Sequence, residues 1–172
     1  MYREHNPQCR KIMQGSVDGM MQGYALVSAS IRERTDKLCG IMDEYRKHGF
    51  KMNAIQKWEG KTKGANYVYE NRYELYNESM KLIRSKKKDA KADFVLRWVQ
   101  VPGLGPVKAS FVAQLMAGWV GCIDVHNIRK YMPDEDPKKG TPSRWQCAGL
   151  SIETQRKKVV DYIEFQVLLV YL

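Results

Sequence analysis

Two short segments hold residue types whose spacing can do chemistry. In the first, Val101-Pro102-Gly103-Leu104-Gly105-Pro106, two glycines and two prolines punctuate an otherwise apolar helical pattern. Gly103 and Gly105 can take positive φ and have no side chain to block close approach. The N–H groups at the start of the following helix can then face a phosphate oxygen, because a helix N-terminus gathers unpaired donors and positive dipole charge. Pro106 suits the first helical turn, where its missing donor would have been unpaired anyway. Pro102, Gly103, Leu104, Gly105, Val107 and Lys108 are therefore the candidate nucleic-acid-binding residues, with Lys108 as a phosphate contact. In the second segment, Cys122-Ile123-Asp124-Val125-His126-Asn127-Ile128-Arg129, a carboxylate and a histidine follow just past the hairpin helix. Asp124 could stabilise positive charge that develops in a transition state. It is also a good N-cap for the helix that begins at Val125, and the two roles are compatible because a capping carboxylate is held rigidly. His126 and Asn127 are candidate pocket residues beside it.

Helices must position these segments. No internal repeat is present and Val-Ile-Thr alternation is scarce, so apolar positions at three- and four-residue spacing predict an all-α chain. Ile12, Met13, Val17, Met20 and Met21, then Leu26, Ile31, Leu38, Ile41, Met42 and Tyr45, predict two helices between Cys9 and Phe50 with a break near Gly23. Lys51 to Tyr67 shows no period and reads as a long connector able to touch a ligand. Tyr45, Trp58 and Tyr67 are further pocket candidates. Tyr69, Tyr73, Tyr76, Met80 and Ile83 form a stripe read as core, followed by the basic run Lys81, Arg84, Lys86, Lys87, Lys88 and Lys91. Phe94 to Val99 is a short helix. A helix–hairpin–helix over 94–117 and an aspartate segment over 122–131 then sit within one helical domain, 1–172. The acids Asp134, Glu135 and Asp136 read as a solvated loop, and Ser151 opens a final helix.

Composition narrows the classes. Among 172 residues, Lys and Arg outnumber Asp and Glu by 29 to 19, a net charge of +10 that points to a polyanion, with nucleic acid foremost. The opening residues lack the apolar run of a secretory signal or anchor, and Tyr162 to Leu172 is too short to span a bilayer. An intracellular setting without a membrane partner is expected, either bacterial cytoplasm or a phage-infected host. Cys9, Cys39, Cys122 and Cys147 lie far apart without a C-x-x-C pair, so neither a zinc ribbon nor a tightly spaced iron–sulfur cluster is expected. No metal and no cofactor are predicted. The oligomeric state stays open.

The segment from Val101 to Arg129 resembles the helix–hairpin–helix DNA glycosylase superfamily, the group of endonuclease III and the oxoguanine and alkyladenine glycosylases. Its L-P-G-V-G hairpin corresponds to Val101 to Gly105, its G-W helix end to Gly118-Trp119, and its V-D-x-H segment to Ile123-Asp124-Val125-His126. The resemblance implies a helical glycosylase-like domain on double-stranded DNA with a flipped base, and Asp124 near the anomeric carbon of that nucleotide. Val107 occupies the position of the Schiff-base lysine of bifunctional members, with Lys108 one residue on. Monofunctional cleavage of an N-glycosidic bond on a flipped, modified base is the expected reaction. A narrower resemblance is to the phage amino acid:DNA transferases, or glutamyl/putrescinyl thymine pyrophosphorylases, where an amine displaces an activated group on a base derived from hydroxymethyluracil. A non-catalytic DNA-binding or virion-associated protein, with Asp124 only as a cap, is the remaining alternative.

Overall fold

Ser16 ends the first helix. Its backbone is extended, and its hydroxyl accepts from the Gly19 N–H at 3.0 Å, the geometry of an N-cap. In the computed structural model, which describes residues 7–31, 37–49, 59–119, 122–141 and 143–168, α1 (Pro7–Gly15) and α2 (Val17–Ala29) therefore meet at Ser16. The break expected at Gly23 is absent. A Cβ on Gly23 would overlap the Met13 side chain, and one on Gly19 would strike the Ile12 carbonyl. These glycines are notches that let α1 cross α2 closely.

The remaining helices are α3 (Leu38–Lys47), α4 (Glu59–Glu70), α5 (Arg72–Arg84), α6 (Ala90–Val99), α7 (Pro106–Ala117), α8 (Val125–Tyr131) and α9 (Ile152–Leu168). A 3-10 turn, Pro137–Gly140, is capped by Asp136. Among the described residues there is no strand, as the all-α reading expects, and no helix is long and apolar enough to cross a membrane.

The connector expected over Lys51 to Tyr67 is overturned from Glu59 onward, where α4 is helical. Trp58 lies outside the described residues. The helical period was hidden because the buried positions are Lys61, Gly64, Ala65 and Val68 rather than large apolar residues. Gly64 is small for a reason. A Cβ there would meet the Pro102 carbonyl oxygen at 2.4 Å and the Tyr24 hydroxyl at 2.6 Å. Helix α4 thus presses on the back of the hairpin turn.

The larger core cluster gathers α2, α5, α6 and α7 around Trp98. Tyr24 stacks on the Trp98 ring at 6.2 Å, and the Trp98 indole N–H donates to the buried Ser79 hydroxyl at 3.0 Å. A second cluster joins Val107, Cys122, Ile123, Ile128, Met132 and Trp145 to Tyr162 and Phe165 of α9. Phe111 packs against both. Helix α1 closes the far end of α7: the Gln14 amide donates to the Met116 carbonyl at 2.7 Å, and the Arg10 guanidinium lies against Gly118, the left-handed C-cap.

Glycine substitutions separate the two kinds of helical glycine. Gly64→Ala is expected to cost about 1–3 kcal/mol through overpacking against the hairpin. Gly40→Ala in α3, where nothing lies within 4 Å of the added methyl, should add about 0.5–1 kcal/mol. Urea denaturation of the two variants would check both signs.

Candidate nucleic-acid interface

The hairpin is a turn from Val101 to Leu104, closed by the Leu104 N–H donating to the Val101 carbonyl at 3.0 Å. Pro102 sits at its second position and Gly103, with φ of 83°, at its third, the pattern of a type II turn. Gly105 departs from the expected positive φ: it is an ordinary extended N-cap with φ of −102° and ψ of 178°. Its carbonyl accepts from the N–H groups of Lys108 and Ala109 at 3.1 and 2.9 Å. The N–H groups of Gly105 and Val107 have no acceptor among the described residues.

The side chains of the hairpin are not equally placed. Gly103 is exposed, Pro102 and Gly105 are half-buried, and Leu104 is buried. Val107 is only 2% exposed and packs with Ile123 and Trp145. Its expected role in binding is thereby restricted to its backbone. An amine cannot replace it without entering the core. The Lys108 amine lies over the Phe111 ring and 3.4 Å from the Ser30 hydroxyl, half-buried rather than fully extended to solvent.

Sequence reasoning missed Arg144. The Trp145 carbonyl oxygen is the nearest atom to a Cβ built on Gly105, at 3.9 Å. Arg144, exposed and seated on the Trp145 ring at 5.2 Å, therefore lies on the loop beside the hairpin. Lys158 of α9 donates to the Arg144 carbonyl at 3.2 Å. No local pattern could have flagged these cations, since α9 and its preceding loop reach the hairpin only through the second core cluster. Trp145 itself is core, edge-on to Tyr162 at 5.1 Å.

Asp124 is the N-cap of α8. Its Oδ1 accepts from the His126 and Asn127 N–H groups at 3.1 and 3.0 Å and from the Asn127 side-chain amide at 3.1 Å. Its other oxygen, Oδ2, has no partner among the described residues. The Asn127 amide also donates to the Cys122 carbonyl at 3.0 Å, so Asn127 closes the loop. The His126 side chain is exposed. Tyr45, a further pocket candidate, is fully buried: α3 turns its apolar stripe to α2, and the Tyr45 hydroxyl donates to the Ser28 hydroxyl at 2.9 Å in the core. The half-buried Tyr67 accepts from Arg97 at 3.1 Å.

Tyr162 holds the aspartate segment in place. Its hydroxyl accepts from the Ile123 N–H at 2.8 Å and donates to the Ile123 carbonyl at 3.2 Å. The Cys122 thiol feels both candidate charges. Burial pushes its thiol up to about 12, Lys108 pulls against that shift, and Asp124 adds to it. Lys108 and Asp124, distant in sequence, thus share one neighbourhood. Among the described residues, no group of three His, Cys, Asp or Glu side chains is placed to hold a metal ion.

No protein-family model, curated protein or solved structure matches the chain. The resemblance to the glycosylases rests on residues between Val101 and Arg129 alone.

Two measurements probe the geometry. Asp124→Ala should lose about 0.5–2 kcal/mol of stability with the cap, whereas Asp124→Asn, an equally good cap, should stay close to wild type in thermal denaturation. The buried thiol sets a pH dependence. Below its ordinary value near 9 the Cys122 thiol is protonated whether the chain is folded or unfolded. Above that pH the unfolded chain releases the proton while the fold retains it, so stability falls as pH rises and the contribution is gone by about 12. Cys122→Ala should flatten this alkaline slope, with the raised hydroxyls of Tyr24 and Tyr162 leaving a residual one.

Proposed function

We propose that the protein binds double-stranded DNA through the Val101–Lys108 hairpin and acts on a base turned out toward Asp124. Gly105 carries the binding reading. Its backbone is one any residue adopts, a Cβ would meet nothing closer than the Trp145 carbonyl oxygen at an ordinary contact of 3.9 Å, and its N–H has no acceptor among the described residues. Nothing inside the chain calls for glycine there. A bare backbone is what a phosphate oxygen needs to reach the helix N-terminus. The exposed Arg144 and the half-buried Lys108 and Lys158 add positive charge around it.

The base-acting reading follows from Asp124. Oδ1 is fixed by three hydrogen bonds, and Oδ2 is left to meet a nucleotide. In N-glycosidic cleavage the C1′–N bond breaks with its electron pair leaving on the base, and the sugar becomes cationic. A fixed carboxylate stabilises that charge. Water then adds to C1′, its proton passing to Asp124 and onward to the departing base. With Val107 in the core, the reaction does not run through an imine at that position. A second reading, binding without catalysis, has its own support: capping of α8 and the Asn127 side-chain amide account for every hydrogen bond the Asp124 carboxylate makes.

Nucleoside mass spectrometry separates the readings. DNA with normal, damaged and hydroxymethylated pyrimidines is incubated with wild type and with Asp124→Asn. Free base from wild type, reduced at least a hundredfold in the variant, is the expected result. A mass gain on a retained base, dependent on added amine and an activated substrate, would assign group transfer instead. Tight binding by both proteins with no product would leave the binding reading alone standing. Gly105→Ala should keep the melting temperature and lose at least tenfold in duplex affinity.

A further inference from the structure

The stripe along α5, read from sequence as core, is only partly so. Tyr73 is 62% exposed, the most exposed of the large apolar side chains among the described residues. It is not loose: the Arg72 guanidinium sits between two rings, 4.5 Å from the Tyr69 centroid and 4.7 Å from that of Tyr73. Arg72 also donates to the Tyr69 carbonyl, which fixes the cation beneath the ring. Tyr73, Asn77, Met80 and Arg84 recur at three- and four-residue spacing and so share one face.

Further along this face an open groove of about 530 Å³ is lined by Tyr76, Asn77, Met80, Lys81, Arg84 and Ser85. Met80 is its buried floor, and the Tyr76 hydroxyl is tied to the Gln14 carbonyl. The cations at its rim have no carboxylate partner among the described residues. The reason lies on the neighbouring helix. Arg97 of α6 takes both carboxylates of α5, Glu74 at 3.6 Å and Glu78 more closely. Lys81 and Arg84 are left as net positive charge, and Lys86, Lys87 and Lys88 continue it into the next loop.

An exposed, rigid aromatic ring that leads into a groove with unpaired cations is the combination that holds unpaired bases by stacking and their phosphates by charge. We propose that the exposed face of α5, from Tyr73 to Arg84, is a binding site for single-stranded nucleic acid. A duplex would leave Tyr73 idle, because its bases are already stacked on one another. At 13 residues the helix gives a track about 20 Å long. This site is separate from the hairpin and does not depend on Asp124.

Fluorescence anisotropy with labelled oligothymidylate and with a blunt duplex tests the proposal in the full chain. Tyr73→Ala should weaken oligothymidylate binding by about tenfold, one base's worth of stacking, and Tyr73→Phe should restore it. Lys81→Gln with Arg84→Gln should reduce the slope of log affinity against log salt by about 1.4, two single-strand phosphate contacts, while Tyr73→Ala leaves the slope unchanged. Equal binding of oligouridylate also supports the site, since the base face and the phosphate are the recognised groups. The proposal is overturned if wild type binds no single strand, or if binding is the same in Tyr73→Ala, or if it is lost through Gly105→Ala instead. Duplex binding that Gly105→Ala abolishes and Tyr73→Ala spares would keep the hairpin reading intact in any of those cases.

Discussion

The hydroxyl of Tyr162 meets both backbone groups of Ile123, and much of the candidate site depends on that contact. Ile123 immediately precedes Asp124, so whatever fixes its peptide fixes where the carboxylate begins. A buried peptide without partners would cost roughly 1–3 kcal/mol per group. Tyr162 satisfies both groups at once from another helix. Its ring packs against Trp145 and Phe165, so the hydrogen bonds and the apolar packing reinforce each other. Rotating the aspartate segment would break both.

A second constraint is steric. The hairpin turn is backed by α4 at Gly64 and carried by α6, whose Trp98 is the centre of the larger core. The turn is therefore a rigid projection from packed helices rather than a free loop. Rigid donors bind an anion with little loss of conformational entropy. The same economy appears at the other end of α7, where Gln14 of α1 donates to the Met116 carbonyl left unpaired by the helix end and Arg10 lies against Gly118.

Charge is distributed by similar competition. Arg97 engages Glu74 and Glu78 of α5, which leaves Lys81 and Arg84 of the same helix without a carboxylate partner among the described residues, and Asp93 is paired with Arg156 across to α9. The net charge of +10 is thus not spread evenly as single solvated side chains. Arg97 and Arg156 are paired with carboxylates between helices, whereas Arg144 and Lys108 beside the hairpin and Lys81 and Arg84 along α5 have no carboxylate partner among the described residues. Clustered positive charge attracts a polyanion more strongly than the same charge dispersed.

Local chemistry made several features legible from the sequence alone. Three- and four-residue spacing of apolar positions determined helices, Pro-Gly-Leu-Gly determined the turn and the start of α7, and Asp124 before Val125 determined a cap, because each depends on neighbours within one or two helical turns. The tertiary structure decided the rest. It placed Tyr45 in the core, sent Val107 inward and Tyr73 outward, made α4 from a segment whose period is written in Lys61, Gly64, Ala65 and Val68, and brought the loop of Arg144 and Trp145 beside Gly105. A stripe of residues says that a face exists but not which face is covered. That depends on contacts between segments far apart in the chain, such as Tyr162 with Ile123, whose energies no local window contains.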